Sequence, residues 1–234
     1  RIAQEERERM RFTLSDLAWC IEEQTGIARA REDWYPAGCL SPFSRLTGAL
    51  QGREIATLTC HPHCSLGTYL FVDKEKKAYP VTRFVDIPNL LKEMDRLANR
   101  ARPSLIRSYT KLKVFHSLIK YFHKEKAPKG LNFTKFLQVL DGFMDKKAGR
   151  GEAGSHNYRT LMIGGMHFMD AYNYQLERVQ RCVVHYSAPN GLIYPFCTYN
   201  SGPTYREKIE RRFSLPLDLW RQGRRILPPS CEIG

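Results

Sequence analysis

Cys60 and Cys64 stand in the segment CHPHCSLGTYLF, and Cys182 and Cys197 bracket CVVHYSAPNGLIYPFC. Cys39, in WYPAGC, is a fifth thiol in a turn-rich setting. Soft sulfur donors drawn from distant segments are how a protein holds an iron–sulfur cluster or a zinc ion. His61 and His63, inside CHPHC, add nitrogen donors that zinc accepts. Pro62 discourages a helix there, and the paired spacings of zinc fingers are missing. The same segment nearly matches C-x3-C-x2-C, but Gly67 occupies the third cysteine position.

The segment between Cys182 and Cys197 reads as a hairpin turning at Pro189, Asn190 and Gly191. With an even number of residues in the loop, the two thiols share a face of the ribbon and reach one ion or cluster. A three-residue loop separates them. Cys20 lies in a helical stripe and reads as a buried packing residue. His167 and Asp170, in MIGGMHFMD, are weaker candidates for a pocket lining. His116 and His123 read as surface or boundary residues of basic helices. The sequence has no nucleophile elbow, phosphate-binding glycine loop or H-E-x-x-H run, so hydrolytic and nucleotide chemistry find no support.

Seven cysteines are an odd number, so they cannot all pair within one chain. Reduced, intracellular thiols serving as ligands fit better than a secreted disulfide scaffold. Lys and Arg number 37 against 24 Asp and Glu, a net charge of +13. That excess favours anionic partners, although a solvated basic surface accounts for it more simply than a dedicated nucleic-acid site does. No nucleic-acid motif is present. No apolar run approaches the roughly 18 residues of a membrane span.

Several elements must position these residues. Thr13 and Asp16 form a capping-box pattern ahead of Leu14, Leu17, Ala18 and Ile21, and Gly26 stops that helix. Residues 33 to 67 are rich in Gly and Pro and read as irregular, a loop able to wrap a metal. GTYLFVD and YPVTRFVDI read as strands joined by KEKK. Three amphipathic helices follow between 88 and 147, with basic outer faces. KKAGRGEAGSH, 146 to 156, reads as a linker. RTLMIGGMHFMD reads as a buried strand, and NYQLERVQRC as a short helix. The predicted organisation is therefore 1–87, a helix with a cysteine-bearing loop and strands; 88–150, helical; and 151–234, a second cysteine-bearing mixed region.

RFTLSDLAWCIEEQTG, HPHCSLGTYLFVD, VTRFVDI, GMHFMDAYNYQLERVQRCVVHY and GLIYPFCTYNSGPTYREKIE together resemble the C-terminal half of a group of radical S-adenosylmethionine proteins. The group includes the archaeal tetraether lipid synthase and its bacterial relatives. The resemblance covers nearly all of the chain except residues 95 to 155. It implies an α+β fold: the C-terminal portion of a partial TIM-like barrel protein, with an auxiliary iron–sulfur region and a helical insertion. It matches Cys39, Cys64, Cys182 and Cys197 to auxiliary [4Fe–4S] ligand positions, with Cys60 a further metal ligand. Cys20 and Cys231 match none.

The function implied is auxiliary cluster binding within an enzyme that joins lipid tails by carbon–carbon bond formation. S-adenosylmethionine enters only with an N-terminal radical-generating domain, the implied partner. RIAQEERERM, without an initiator Met, reads as a cut through a larger fold that leaves Leu14, Leu17 and Trp19 uncovered. Anionic lipid or a membrane surface is a further partner, and the expected location is the cytoplasm or a membrane face. The alternative is a zinc-stabilised basic module contacting nucleic acid.

Overall fold

The computed structural model describes residues 3–100, 107–144, 158–201 and 203–222. The linker 146–156 and Cys231 lie outside the described residues. The chain divides into two compact units, one of residues 1–58 with 65–167 and one of 59–64 with 168–234. The helices of the 88–150 stretch thus belong to the same unit as the first strands.

The larger unit is built on one long antiparallel ladder. Strand β2 (Ser65–Asp73) pairs along its whole length with β4 (Tyr158–Met166), from Ser65↔Met166 to Asp73↔Tyr158. On its other side β2 takes β1 (Tyr35–Pro36) and then β3 (Ala78–Pro80), both antiparallel. The β2–β3 turn is closed by Lys76 at φ 66° and by Lys77 N–H, which donates to Asp73 Oδ1 at 2.8 Å. YPVTRFVDI gives only this three-residue strand and then a 3-10 turn at Val81–Arg83. All the described strand pairs are antiparallel.

Alternation along β2 sends side chains to two different cores. Phe71, with Tyr158 of β4, faces helices α4 (Ile87–Arg100), α5 (Arg107–Tyr121) and α6 (Phe133–Met144). There Phe71, Phe84, Phe122 and Phe136 interlock, with Phe71 edge-on to Phe84 at 5.3 Å and Phe122 against Phe136 at 5.0 Å. Leu66 and Ile163 face the other way, against Ala18, Ala28 and Trp34.

Helix α2 (Leu14–Thr25), which follows α1 (Gln4–Met10), carries Ala18 on that second face. Its capping box is complete: Asp16 N–H donates to Thr13 Oγ1, and Thr13 N–H donates to Asp16 Oδ2. Gly26 ends it at φ 64°, a left-handed conformation that costs a side-chain-bearing residue about 1 kcal/mol. Cys20 is only partly buried in it, and Trp19 is 42% exposed with Arg31 over its ring. Leu17 approaches β4 at Gly165, where a Cβ would collide with Leu17 Cδ2.

Three expectations need correction here. The 33–67 stretch is not wholly irregular: Ser41–Gln51 form helix α3, with Pro42 in its first turn and Gly52 as its left-handed stop. Pro is tolerated in a first turn, where its missing N–H has no helical partner anyway, so Gly and Pro here bound a helix instead of breaking one. The 158–166 strand exists but is not buried, because Leu161, Met162 and Met166 are exposed. Cys20 is not a core residue.

Within the larger unit, Asp33 is almost fully buried and takes N–H bonds from Arg83 and from Arg29. Thr82 Oγ1 also donates to it. Burial pushes the Asp33 carboxyl up, but the bonds from Arg83 and Thr82 outweigh it and hold the group below its usual range.

Candidate functional site

Four of the six described cysteines fall in the smaller unit, and none of the six is in a disulfide. Pro62–Cys64 form a 3-10 turn, closed by Cys64 N–H donating to His61 O at 2.9 Å. His63 N–H donates to His61 Nδ1, and the two rings meet edge to face at 4.7 Å. Burial holds His61 below the ordinary imidazole range, with His63 the next cause. One imidazole nitrogen is thus already spent inside the turn. His61 Nε2 stands 3.8 Å from Glu177.

Helix α7 (Leu176–Gln180) brings Arg178 to the same place. Arg178 is buried, and its Nε–H donates to Cys64 Sγ across 3.5 Å. Arg181 Nε–H donates to Thr59 O at 3.3 Å and ties the turn to α7. Cys60 is buried.

Strands β5 (His185–Ser187) and β6 (Ile193–Pro195) make the predicted hairpin, but with different parity. The residues between Ser187 and Ile193 number five, so opposed partners have numbers of even sum. Phe196 N–H donates to Val184 O and continues that register, which sets Cys197 opposite Val183 and not on the face of Cys182. Neither thiol lies in a strand. Cys182 follows α7 and donates to Val184 O at 3.0 Å, while Cys197 opens helix α8 (Phe196–Ser201). The shared ribbon face is therefore corrected. Cys197 Sγ instead accepts from Met169 N–H at 3.4 Å.

Cys39 sits in the larger unit, in a 3-10 turn at Ala37–Leu40, where burial pushes its thiol up and disfavours the thiolate. Asp170 is consumed by its own turn, accepting from Tyr172 and Asn173 N–H. Among the described residues, no three His, Cys, Asp or Glu side chains gather closely enough to hold a metal ion. The donor chemistry around Cys64 and Cys197 thus suits a metal, while the spacing in this arrangement does not close around one.

A second feature escaped the sequence. Aromatic rings line the smaller unit: Phe168 on Phe196 at 4.7 Å, Tyr186 stacked on Phe196 at 5.1 Å, and Tyr186 beside Tyr199 at 5.0 Å. Helix α9 (Pro203–Phe213) adds Arg206, whose Nε–H donates to Glu210 Oε1 at 2.6 Å. Tyr186, Tyr199, Asn200, Arg206 and Glu210 line an open cleft of about 250 Å³. Asn200 donates to Tyr186 Oη at 3.4 Å. Such a cleft offers flat ring faces with an amide and a carboxylate at the edge, which suits a planar hydrogen-bonding ligand. Its only sequence signal was the density of Tyr and Phe from 168 to 205. Arg178 left no signal, since an arginine in a short helix reads as solvated.

No family model matches the chain. A match does exist to a 7,8-dihydro-6-hydroxymethylpterin dimethyltransferase of Methanocaldococcus jannaschii. The two are 35% identical over 217 residues, which is 92% of this chain. The chain spans 42% of the length of that curated relative. Among the described residues, no helix is long and apolar enough to cross a membrane.

Proposed function

We propose that the chain is the C-terminal, auxiliary-cluster region of a radical S-adenosylmethionine enzyme, and that the whole enzyme methylates a flat, hydrogen-bonding heterocycle of the pterin kind. The observation that carries the reading is the 35% identity, across 92% of the chain, to a protein named as a dihydropterin dimethyltransferase. In this reading Tyr186 and Tyr199 stack against the ring, and Asn200 and Glu210 receive its N–H edge. The TIM-like barrel that generates the radical belongs to the part of such an enzyme outside this chain. Lipid tails are the competing substrate, carried by the resemblance to the tetraether lipid synthase group.

Cys60, Cys64, Cys182 and Cys197 are assigned as the metal donors of the smaller unit. Arg178 Nε–H faces Cys64 Sγ and Met169 N–H faces Cys197 Sγ, so two of the sulfurs already have hydrogen-bond donors beside them. A [4Fe–4S] cluster, when bound, supplies one-electron chemistry that zinc lacks. Support also comes from packing. Among the described residues, the buried apolar side chains of the smaller unit are Cys60, Met169 and Ile209 alone. A unit with so little core is the kind that metal stabilises.

The test uses the longest protein that contains this chain, purified without oxygen. Incubation with S-adenosylmethionine, a reductant and 7,8-dihydro-6-hydroxymethylpterin should give methylated pterin by mass spectrometry, together with 5′-deoxyadenosine. Tyr199→Ala and Glu210→Gln should raise KM for the pterin. Product on lipid and none on pterin restores the lipid reading. A colourless, zinc-loaded protein without radical products favours the zinc-stabilised, nucleic-acid-binding alternative.

A further inference from the structure

Helix α5 carries apolar side chains on its outer as well as its inner side. Its inner side buries two hydroxyls, Thr110 (2% exposed) and Ser117 (5%), beside the partly buried Val114, Leu118 and Tyr121. Ser117 Oγ–H donates back to Lys113 O at 2.8 Å, which satisfies it without a partner from another element. On the outer side, Leu112 is 65% exposed and Phe115 and Ile119 are each 46% exposed, Phe115 with its ring edge-on to Phe133 at 5.7 Å. Tyr109 extends the stripe by one turn. Residues three and four apart on a helix are neighbours, so Leu112, Phe115 and Ile119 form one continuous band. A surface helix ordinarily turns this band inward.

The flanks of the band carry charge of one sign. At 100° per residue, Lys111 falls along one border, and Lys113 and Lys120 fall along the other. Lys113 lies 5.4 Å from the Tyr109 ring, and Lys120 lies 5.2 Å from the Tyr121 ring. The 15-residue helix, RSYTKLKVFHSLIKY, contains no Asp or Glu. It is too short to cross a bilayer, which needs about 20 residues.

We propose that the outer face of α5 docks in the plane of an anionic lipid surface, with Leu112, Phe115 and Ile119 entering the acyl boundary and the bordering lysines meeting the headgroups. Charge complementarity selects this occupant. A helix or a second copy of this chain would have to bring carboxylates to meet three lysines, whereas anionic headgroups supply them across the whole surface. The proposal stands independently of the methyl-transfer reading, because it rests on the larger unit alone.

The experiment is co-sedimentation of the whole chain with vesicles of phosphatidylcholine or of an equimolar mixture with phosphatidylglycerol. The chain should pellet with the anionic vesicles, remain in solution with the neutral ones, and be released in about 0.5 M salt. The double substitution Leu112→Ser and Ile119→Ser should lower the bound fraction by about tenfold or more. Ile193→Ser, an equally exposed control on the hairpin, should leave binding unchanged. Leu112→Trp gives a readout that needs no destabilising change: its added emission should shift to the blue with anionic vesicles. Indifference of binding to the double substitution, equal binding to neutral vesicles, or an unshifted Leu112→Trp emission overturns the proposal. So does a dimer in sedimentation velocity that the double substitution converts to monomer, since the band is then a copy-to-copy interface.

Discussion

The two units hold themselves together by different means. In the larger one, Phe71, Phe84, Phe122 and Phe136 interlock over a continuous nine-residue ladder, and helices pack against part of each face of the sheet. In the smaller one, short elements are joined by individual bonds: Arg181 to Thr59 O, Tyr174 to Thr198, Met169 N–H to Cys197 Sγ. Its rings touch one another while remaining partly exposed. Apolar burial stabilises roughly in proportion to area, so packing contributes more to the first arrangement, and the second leaves room for a ligand to supply what is missing. Chemistry-bearing residues collect in the unit that packing leaves least settled.

Phe71→Ala should have the largest effect. It opens a cavity in the ring cluster and should cost about 3–5 kcal/mol. Thermal unfolding followed by far-UV circular dichroism should show the sheet-bearing transition fall while the other stays. A common fall of both transitions would break the distinction between the units. Arg83→Ala follows, because it leaves the buried Asp33 carboxylate without its guanidinium, at about 3 kcal/mol.

The pH dependence of Asp33 has a definite sign. Its folded pKa is depressed, so its contribution is complete above the ordinary aspartate range and is lost as pH falls through the lowered value. Asp33→Asn should therefore flatten the acid limb of the stability profile, measured by urea unfolding at a series of pH values.

The metal prediction probes the smaller unit. Cys64→Ser, Cys182→Ser or Cys197→Ser should lower bound metal, measured by elemental analysis. Each should remove about 2–3 kcal/mol of ligand-linked stability from that unit. Cys20→Ser should leave metal content unchanged. Equal metal loss from Cys20→Ser would remove the assignment. The smallest effect is expected at Thr13→Ala, about 1 kcal/mol, through the lost N-cap of α2.

The larger unit was also the more legible. Thr13, Asp16 and Gly26 act through bonds spanning a few residues, so their pattern carries its own geometry. The KEKK turn and the helical stripes from 88 to 147 are local in the same sense. Helix α3 was hidden because Pro42 and Gly52 are boundary residues whose meaning depends on where the boundary falls. The hairpin register turned on a single residue in the loop, and one residue exchanges the faces of every side chain beyond it. Arg178 against Cys64 is separated by more than a hundred positions, and no local pattern announces such a meeting. The 158–166 strand looked buried because apolar composition does not say whether a second layer covers it.

The seam between α2 and β4 has a practical side. Gly165 lets Leu17 lie directly on the strand, so the helix is seated against backbone instead of against a side chain. A methyl at 165 meets the end of the Leu17 side chain, which can turn aside, whereas larger groups press on the helix itself. Trypsin, cutting after Arg29 or Arg31, would then find a segment that lifts away readily. The rate of that nick across Gly165→Ala, Gly165→Val and Gly165→Leu turns one missing methyl into a gauge of how firmly the N-terminal helix is held.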